Sequence, residues 1–350
     1  MQQVFGNPTG HMAKHVQTLA ALVCGIVGSN HCHLSKVADH APAGKAKQSS
    51  LIKRLSNWLQ RETITYESYF MPFAEPLIVA LAAARPLELI IDGSAVGRKC
   101  VTLMVSVVYR GRALPLAWLV VAGKKGHLPE ATHLSLIQQV QKIIPAWATV
   151  IFLGDGEFDG TELQAAVEQA GWSYVCRTAK NTLVWRDGTK TTCADMEVQP
   201  DRPISWEGVQ VTGKNYGPVQ VIAYWDANEE TPIYLVTNLT DAAQAVRHYL
   251  KRAHIETFFS DQKSRGFRLD KSHLSNPARV ARLLIATCLA YLWIIFLGSE
   301  AHRLNLVGFL HRTDRCDLSL FQLGMRLLHH LLKEGHPIPV RFLLLDCEVL

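Results

Sequence analysis

Long apolar runs are scarce in this chain. The best candidate, 283–297 (LLIATCLAYLWIIFL), has fifteen residues, short of the ~20 that a helix needs to cross a bilayer. Arg279 and Arg282 stand just before it, so a buried helix is expected there and a membrane span is not. No charged-then-apolar leader opens the chain, so secretion is not expected. The eight cysteines (24, 32, 100, 176, 193, 288, 316, 347) make no C-x-x-C pair, and several sit in apolar patterns where Cys behaves as a small hydrophobe. That argues against a disulfide framework and for a reducing, cytoplasmic setting. His31-Cys32-His33 with Cys24 has no second ligand pair, and adjacent ligands project apart, so zinc is not expected. Internal repeats and low-complexity tracts are also missing.

What is present is a globular composition. A chain of 350 residues, 48% hydrophobic, can bury a sizeable core divided among two or three structural units. Lys and Arg exceed Asp and Glu by only six overall, but the excess is uneven. From Arg247 to Arg282 there are nine cations against three acids, Glu256, Asp261 and Asp270. A basic strip around a carboxylate suits a polyanionic partner.

Residues 1–80 read as a helical N-terminal region. Within 33–59 the pattern is helix, Pro/Gly turn, basic helix, with Ser49 or Ser50 as the expected cap of the second member. Lys45, Lys47, Lys53 and Arg54 fit either a DNA-binding helical module or an ordinary helical subdomain. From 81 to 180 the order is strand, hairpin, helix, strand, helix, strand. Arg110-Gly111-Arg112 is read as a three-residue hairpin connection, and the order predicts a mixed sheet flanked by helices. Residues 181–240 form a β-rich insertion with Trp185, Trp206 and Trp225, each expected in the core. Helix returns over 241–300, and a helical C-terminal region follows over 301–350.

The most informative residues are Tyr249, Arg252, Glu256 and Lys263, separated by three, four and seven positions. At about 100° per residue these steps place all four on one stripe of a helix, expected over about 242–265. A phenol, a guanidinium, a carboxylate and an ammonium on one stripe suit a surface that holds a metal ion through the acid and phosphates through the others. His254 falls off the stripe. Two further acids, Asp92 and Asp155, end short apolar runs and precede glycine. In open α/β sheets ligand groups gather at such strand ends. Glu157 and Asp159 share the loop of Asp155 and are alternative ligands. Spacing alone does not bring 92, 155 and 256 together.

The pattern Tyr-x2-Arg-x3-Glu-x6-Lys, in HYLKRAHIETFFSDQKSRGF (248–267), resembles the YREK signature of DDE transposases of bacterial insertion sequences, in the insertion sequence 4 group. LELIIDGSAVG (87–97), IFLGDGEFDGTEL (151–163) and IYLVTNL (233–239) follow in the order of that family. The resemblance spans 87 to about 300. It implies an RNase H-like fold that unites Asp92, Asp155 and Glu256 as metal ligands, with Tyr249, Arg252 and Lys263 on DNA phosphates. Mg²⁺ or Mn²⁺, two ions about 4 Å apart, suits such oxygen donors and in-line displacement at phosphorus. The implied reaction is cut-and-paste: water opens the phosphodiester at the element end, and the freed 3′-hydroxyl attacks target DNA. The implied partners are duplex DNA carrying terminal inverted repeats, target DNA, and a second copy of the chain in the synaptic complex. The resemblance also implies that the insertion shapes the site. Competing readings are an RNase H-like host nuclease, a glycosidase using an acid pair, and an inactive DNA-binding descendant of a transposase.

Overall fold

The computed structural model describes residues 1–340 apart from 43, 125, 313 and 314; Cys347 and the last ten residues of the expected C-terminal helical region fall outside the described residues. The chain opens with helices α1 (Gln2–Phe5), α2 (Gly10–Ser29), α3 (Leu34–His40), α4 (Gln48–Gln60), α5 (Tyr66–Tyr69) and α6 (Met71–Ala84). Strands β1 (Leu87–Val96), β2 (Cys100–Tyr109) and β3 (Arg112–Ala122) follow, then α7 (Glu130–Gln141), β4 (Val150–Gly154), α8 (Thr161–Gln169) and β5 (Ser173–Thr178). The inserted strands are β6 (Leu183–Arg186), β7 (Thr189–Thr192), β8 (Ile204–Val211), β9 (Tyr216–Tyr224) and β10 (Ile233–Thr237). The remainder is helical: α9 (Ala242–Leu250), α10 (His254–Gln262), α11 (Pro277–Arg303), α12 (Val307–Leu310) and α13 (Leu320–Lys333).

Among the described residues the strands form one ten-stranded sheet in the order β3-β2-β1-β4-β5-β10-β9-β8-β6-β7. Strands β1 to β3 are antiparallel neighbours, while β4 runs parallel to β1 and to β5. This five-stranded core, with helices on both faces, is the mixed sheet expected from the order of the elements. Strands β2 and β4 are buried along their whole length, as expected of strands covered on both faces. Helices α7 and α8 cover one face; α9, α10 and α11 lie against the other.

Several local expectations need correction. Strand β1 does not stop at Ile91; it runs through Asp92 to Val96 because β2 continues to pair with it, Asp92 opposite Met104. The β2–β3 connection is the two-residue turn Arg110-Gly111, since Arg112 already pairs with Tyr109. Both turn residues have positive φ, 43° and 71°, the geometry that matches strand twist in tight hairpins. Helix α4 begins earlier than the serines imply: Lys47 is its N-cap, without a side-chain cap bond. The insertion continues the sheet, because β10 pairs with β5 on one side and β9 on the other. Trp185, Trp206 and Trp225 are all half-buried rather than core. Lys190 lies over Trp185 and Arg186 over Trp206, and Trp225 donates to the Glu229 carbonyl at 2.9 Å.

The 283–297 run lies within α11, a helix of 27 residues. That length, like that of α2, suffices to cross a membrane, but α11 packs against β3, α2, α4, α5 and α13 and is buried from Leu283 to Ala301. It starts where sequence rules place it: Asn276 caps it by accepting from the Arg279 N–H at 3.0 Å, and Pro277 occupies the first turn. Arg282 then donates to the carbonyls of Leu59 and Ile64, both at 3.1 Å, fastening α11 to the end of α4. The seven described cysteines are free thiols.

A buried ion pair joins α10 to the sheet, with Arg112 Nη1 3.2 Å from Asp261 Oδ2. Burial pushes the Asp261 carboxyl up to about 6 despite the opposing pull of Arg112 and Arg265. A carboxyl raised in the folded state favours folding most when protonated. Its contribution is therefore complete below about pH 4, the unfolded value, and is lost as pH rises through about 6. Asp261→Asn is expected to flatten the decline in stability across that window. Urea midpoints measured from pH 4 to 7 check this, and an unaltered slope refutes it.

Candidate active site

The register of the parallel pair β1–β4 decides where two of the acids go. Leu87 pairs with Val150 and Ile90 with Leu153, a constant offset of 63 positions. Asp92 and Asp155 have the same offset, so each stands two residues beyond the last paired position, Asp92 within β1 and Asp155 just past the end of β4. Adjacent strands lie ~4.8 Å apart, which brings the two carboxyl groups close together. The Gly93 N–H donates to Asp92 Oδ1 at 2.7 Å. After β4 the chain reverses through Asp155-Gly156-Glu157-Phe158: the Phe158 N–H donates to the Asp155 carbonyl and the Glu157 N–H to Asp155 Oδ1, both at 2.9 Å. Gly154 is required beneath this turn, since a Cβ there would sit 2.6 Å from that of buried Phe158.

The third acid comes from the helical segment after the insertion. That segment is helical throughout, but it is not the single regular helix the spacing predicts. A 3₁₀ turn, Lys251–Ala253, separates α9 from α10, and Lys263 is the residue just after α10. Tyr249, Arg252 and Glu256 still meet, and Lys263 reaches β1 separately. Arg252, on the 3₁₀ turn, holds Glu256 Oε1 through Nη2 at 2.6 Å. Its Nη1 lies 3.8 Å from Asp92 Oδ2 and 3.8 Å from Asp155 Oδ2. One guanidinium thus touches all three carboxylates, from a strand, a loop and a helix. Burial works against the Arg252 charge, but Tyr249, Glu256 and Asp92 outweigh it and the net shift is upward.

Tyr249 lies beside Arg252, 7% exposed, with its phenol pushed up by burial against the lowering pull of that guanidinium. Lys263 Nζ donates to Ser94 Oγ at 2.6 Å; Ser94 is two residues past Asp92 and so on the same face of β1. The alternative ligands in the Asp155 loop are engaged elsewhere. Glu157 accepts from the Leu128 N–H at 2.9 Å and pairs with His133 at 3.6 Å, and Asp159 accepts from Thr178 Oγ1 at 2.7 Å.

Glu88 fixes the helix to the strand. It is buried four residues before Asp92 on the same face of β1, with His248 Nδ1 at 2.5 Å and Lys251 Nζ at 2.6 Å. Those hydrogen bonds overcome burial and hold its carboxyl below the usual range. The basic strip read from the sequence is accordingly mixed. Lys251, Arg252, Lys263, Arg279 and Arg282 are tied to protein groups and Lys271 pairs with Asp270, whereas Arg247, Arg265 and Arg268 are exposed.

Arg252 stands between two clefts of about 720 and 280 Å³ that also share Arg177 and Ile233. The larger runs from Asp155 to the inserted strand β10, with His127, Arg177 and Lys180 on its walls. Sequence reasoning missed these three. A signal for Arg177 was present, because it is an exposed cation between two buried residues of β5.

A divalent cation fits the donor set: three carboxylates, all hard oxygen ligands, already gathered around one positive charge. Among the described residues no group of three or more His, Cys, Asp or Glu is assembled to hold a metal ion as it stands.

The family described as a transposase DDE domain matches residues 79–293, a span that contains β1, β4, the insertion and the whole Arg252 cluster. No curated protein matches the chain. Solved structures that match include a cryo-EM structure of a piggyBac transposase synaptic complex with hairpin DNA, at 12% identity and a TM-score of 0.46, covering 95% of this chain and 69% of that one.

Proposed function

Since the chain belongs to the transposase DDE-domain family, we propose that it cuts DNA at the ends of an insertion sequence and joins the freed 3′-hydroxyl to target DNA. The observation that carries this reading is the contact of one guanidinium with Asp92, Asp155 and Glu256. Asp92, Asp155 and Glu256 would hold the divalent metal, Mg²⁺ or Mn²⁺, two ions being suited to in-line phosphoryl transfer. When bound, the metal supplies Lewis acidity to the attacking and leaving oxygens.

The chain's own groups orient the strand. Lys263, set against β1 by Ser94, and Arg252 present charge to phosphates beside the acids, and Tyr249 backs Arg252 from the interior. His127, Arg177 and Lys180 line the cleft and give the phosphodiester path positive walls. The YREK spacing supports assignment to the insertion sequence 4 group and a cut-and-paste pathway in a bacterial cytoplasm. Two chains would assemble on paired element ends.

The N-terminal helices offer a second contact with duplex DNA. A groove of about 520 Å³ between α2 and α4 is lined by Lys14, Lys53, Arg54 and Arg61, with His11 and His15. The four long cations are exposed. The double variant Lys53→Ala, Arg54→Ala is expected to weaken binding uniformly across sequences and to lower the slope of log affinity against log salt by about two. Fluorescence anisotropy at several salt concentrations measures both; an unchanged slope removes the groove from the interface.

The deciding experiment uses a labelled duplex carrying the inverted repeat that flanks the gene. Nicking at the element boundary in Mg²⁺, leaving a 3′-hydroxyl, is expected. Cleavage of an RNA–DNA hybrid without regard to that boundary would favour the host-nuclease reading. Binding without cleavage would favour the inactive descendant.

A further inference from the structure

The position of Arg252 implies more than substrate contact. Three carboxylates brought to one point repel one another, and something positive must hold them together when no metal is bound. Arg252 does so with both ends of its fork: Nη2 on Glu256 at 2.6 Å, Nη1 toward Asp92 and Asp155 at 3.8 Å each. Guanidinium suits this role because it is always charged and its donors spread in a plane.

Its backbone is fixed while its tip has room to move. The preceding residue, Lys251, is tied to buried Glu88 at 2.6 Å. The two clefts that border Arg252, about 720 and 280 Å³, open on either side of the side chain. Phosphate oxygens entering them compete for the same fork, since Arg binds phosphate as well as carboxylate through paired N–H groups.

Resting on the carboxylate reading above, we propose that Arg252 is an internal counter-ion that competes with the divalent metal for Asp92, Asp155 and Glu256 and is drawn away by a DNA phosphate. Metal binding and DNA binding are then coupled through one side chain. The free chain binds metal weakly, and an arriving strand releases the acids. Linkage makes the effect reciprocal, so metal tightens DNA binding by the same factor.

The test is Mn²⁺ affinity of the full chain, read by the loss of the free-ion electron paramagnetic resonance signal. Arg252→Gln is expected to bind Mn²⁺ about tenfold more tightly than wild type, within the usual range of such couplings. Arg252→Lys, which keeps the charge but loses the fork, is expected to fall between them. A pre-cut duplex from the element's own terminus, with no bond left to cleave, should tighten Mn²⁺ binding to wild type and not to Arg252→Gln. If Arg252→Gln does not fold, Arg252→Lys decides alone, by binding Mn²⁺ more tightly than wild type or failing to. Equal or weaker Mn²⁺ binding by these variants, with Asp92→Asn still abolishing it, overturns the counter-ion and leaves the carboxylate site intact. Mn²⁺ binding indifferent to Asp92→Asn in every background overturns both.

Discussion

Glu256→Gln is expected to slow Mg²⁺-dependent strand cleavage by about a thousandfold or more, equivalent to roughly 4 kcal/mol of barrier, while DNA affinity changes little. The amide keeps the size and the hydrogen bonding of the side chain but removes the charge that a hard cation requires. Asp92→Asn and Asp155→Asn should match it, because the acids surround one guanidinium and act as a unit. The neighbouring acids provide the contrast. Glu157→Gln and Asp159→Asn alter residues that brace the loop, through Leu128 and His133 in one case and Thr178 in the other. Their effect should appear mainly in stability. Quenched-flow cleavage of an end duplex, alongside anisotropy for binding, measures both quantities. Wild-type cleavage by Asp155→Asn would remove that residue from the site.

The largest expected effect on stability lies far from the chemistry, where α11 and α13 cross. A methyl group at Gly324 would land on the Ile294 carbonyl, and one at Gly298 on the Leu320 carbonyl. Both obstacles are helix backbone, which cannot rotate aside as a side chain can. Gly324→Val must therefore push two packed helices apart, at a cost of about 3 kcal/mol or more. Helix α11 also carries Arg279 and Arg282, which fasten it to Ser56, Leu59 and Ile64. Loosening it should lower the unfolding midpoint of the N-terminal helices together with the rest. A shift of the urea midpoint confirms the crossing as a rigid contact; an unchanged midpoint means the helices have slack.

Much of the fold is local and could be read from the sequence. Short apolar runs and helical periodicity gave the order of strands and helices from β1 to β5. What escaped depends on pairing between distant segments. The extension of β1 past Asp92 depends on β2, and the joining of the insertion to the sheet depends on β10 meeting β5. The meeting of Asp92 with Asp155 followed from an offset of 63 that is visible in the numbering, yet has meaning only once the two strands are known to be parallel neighbours. Periodicity placed Tyr249 and Arg252 on one side of a helix. It did not show that Tyr249 would be buried or that Arg252 would face carboxylates, because both depend on what packs opposite.

The pairing of β10 with β5 also limits how the cleft can work. Its inserted wall and its catalytic floor share one continuous ladder of peptide hydrogen bonds. Such a wall cannot swing like a hinged jaw without tearing several of those bonds at once. On the proposed function, a nucleic-acid strand would therefore enter along an open trough whose width is set when the chain folds. Adaptation to the strand is left to long side chains such as Arg177 and Lys180 at its rim.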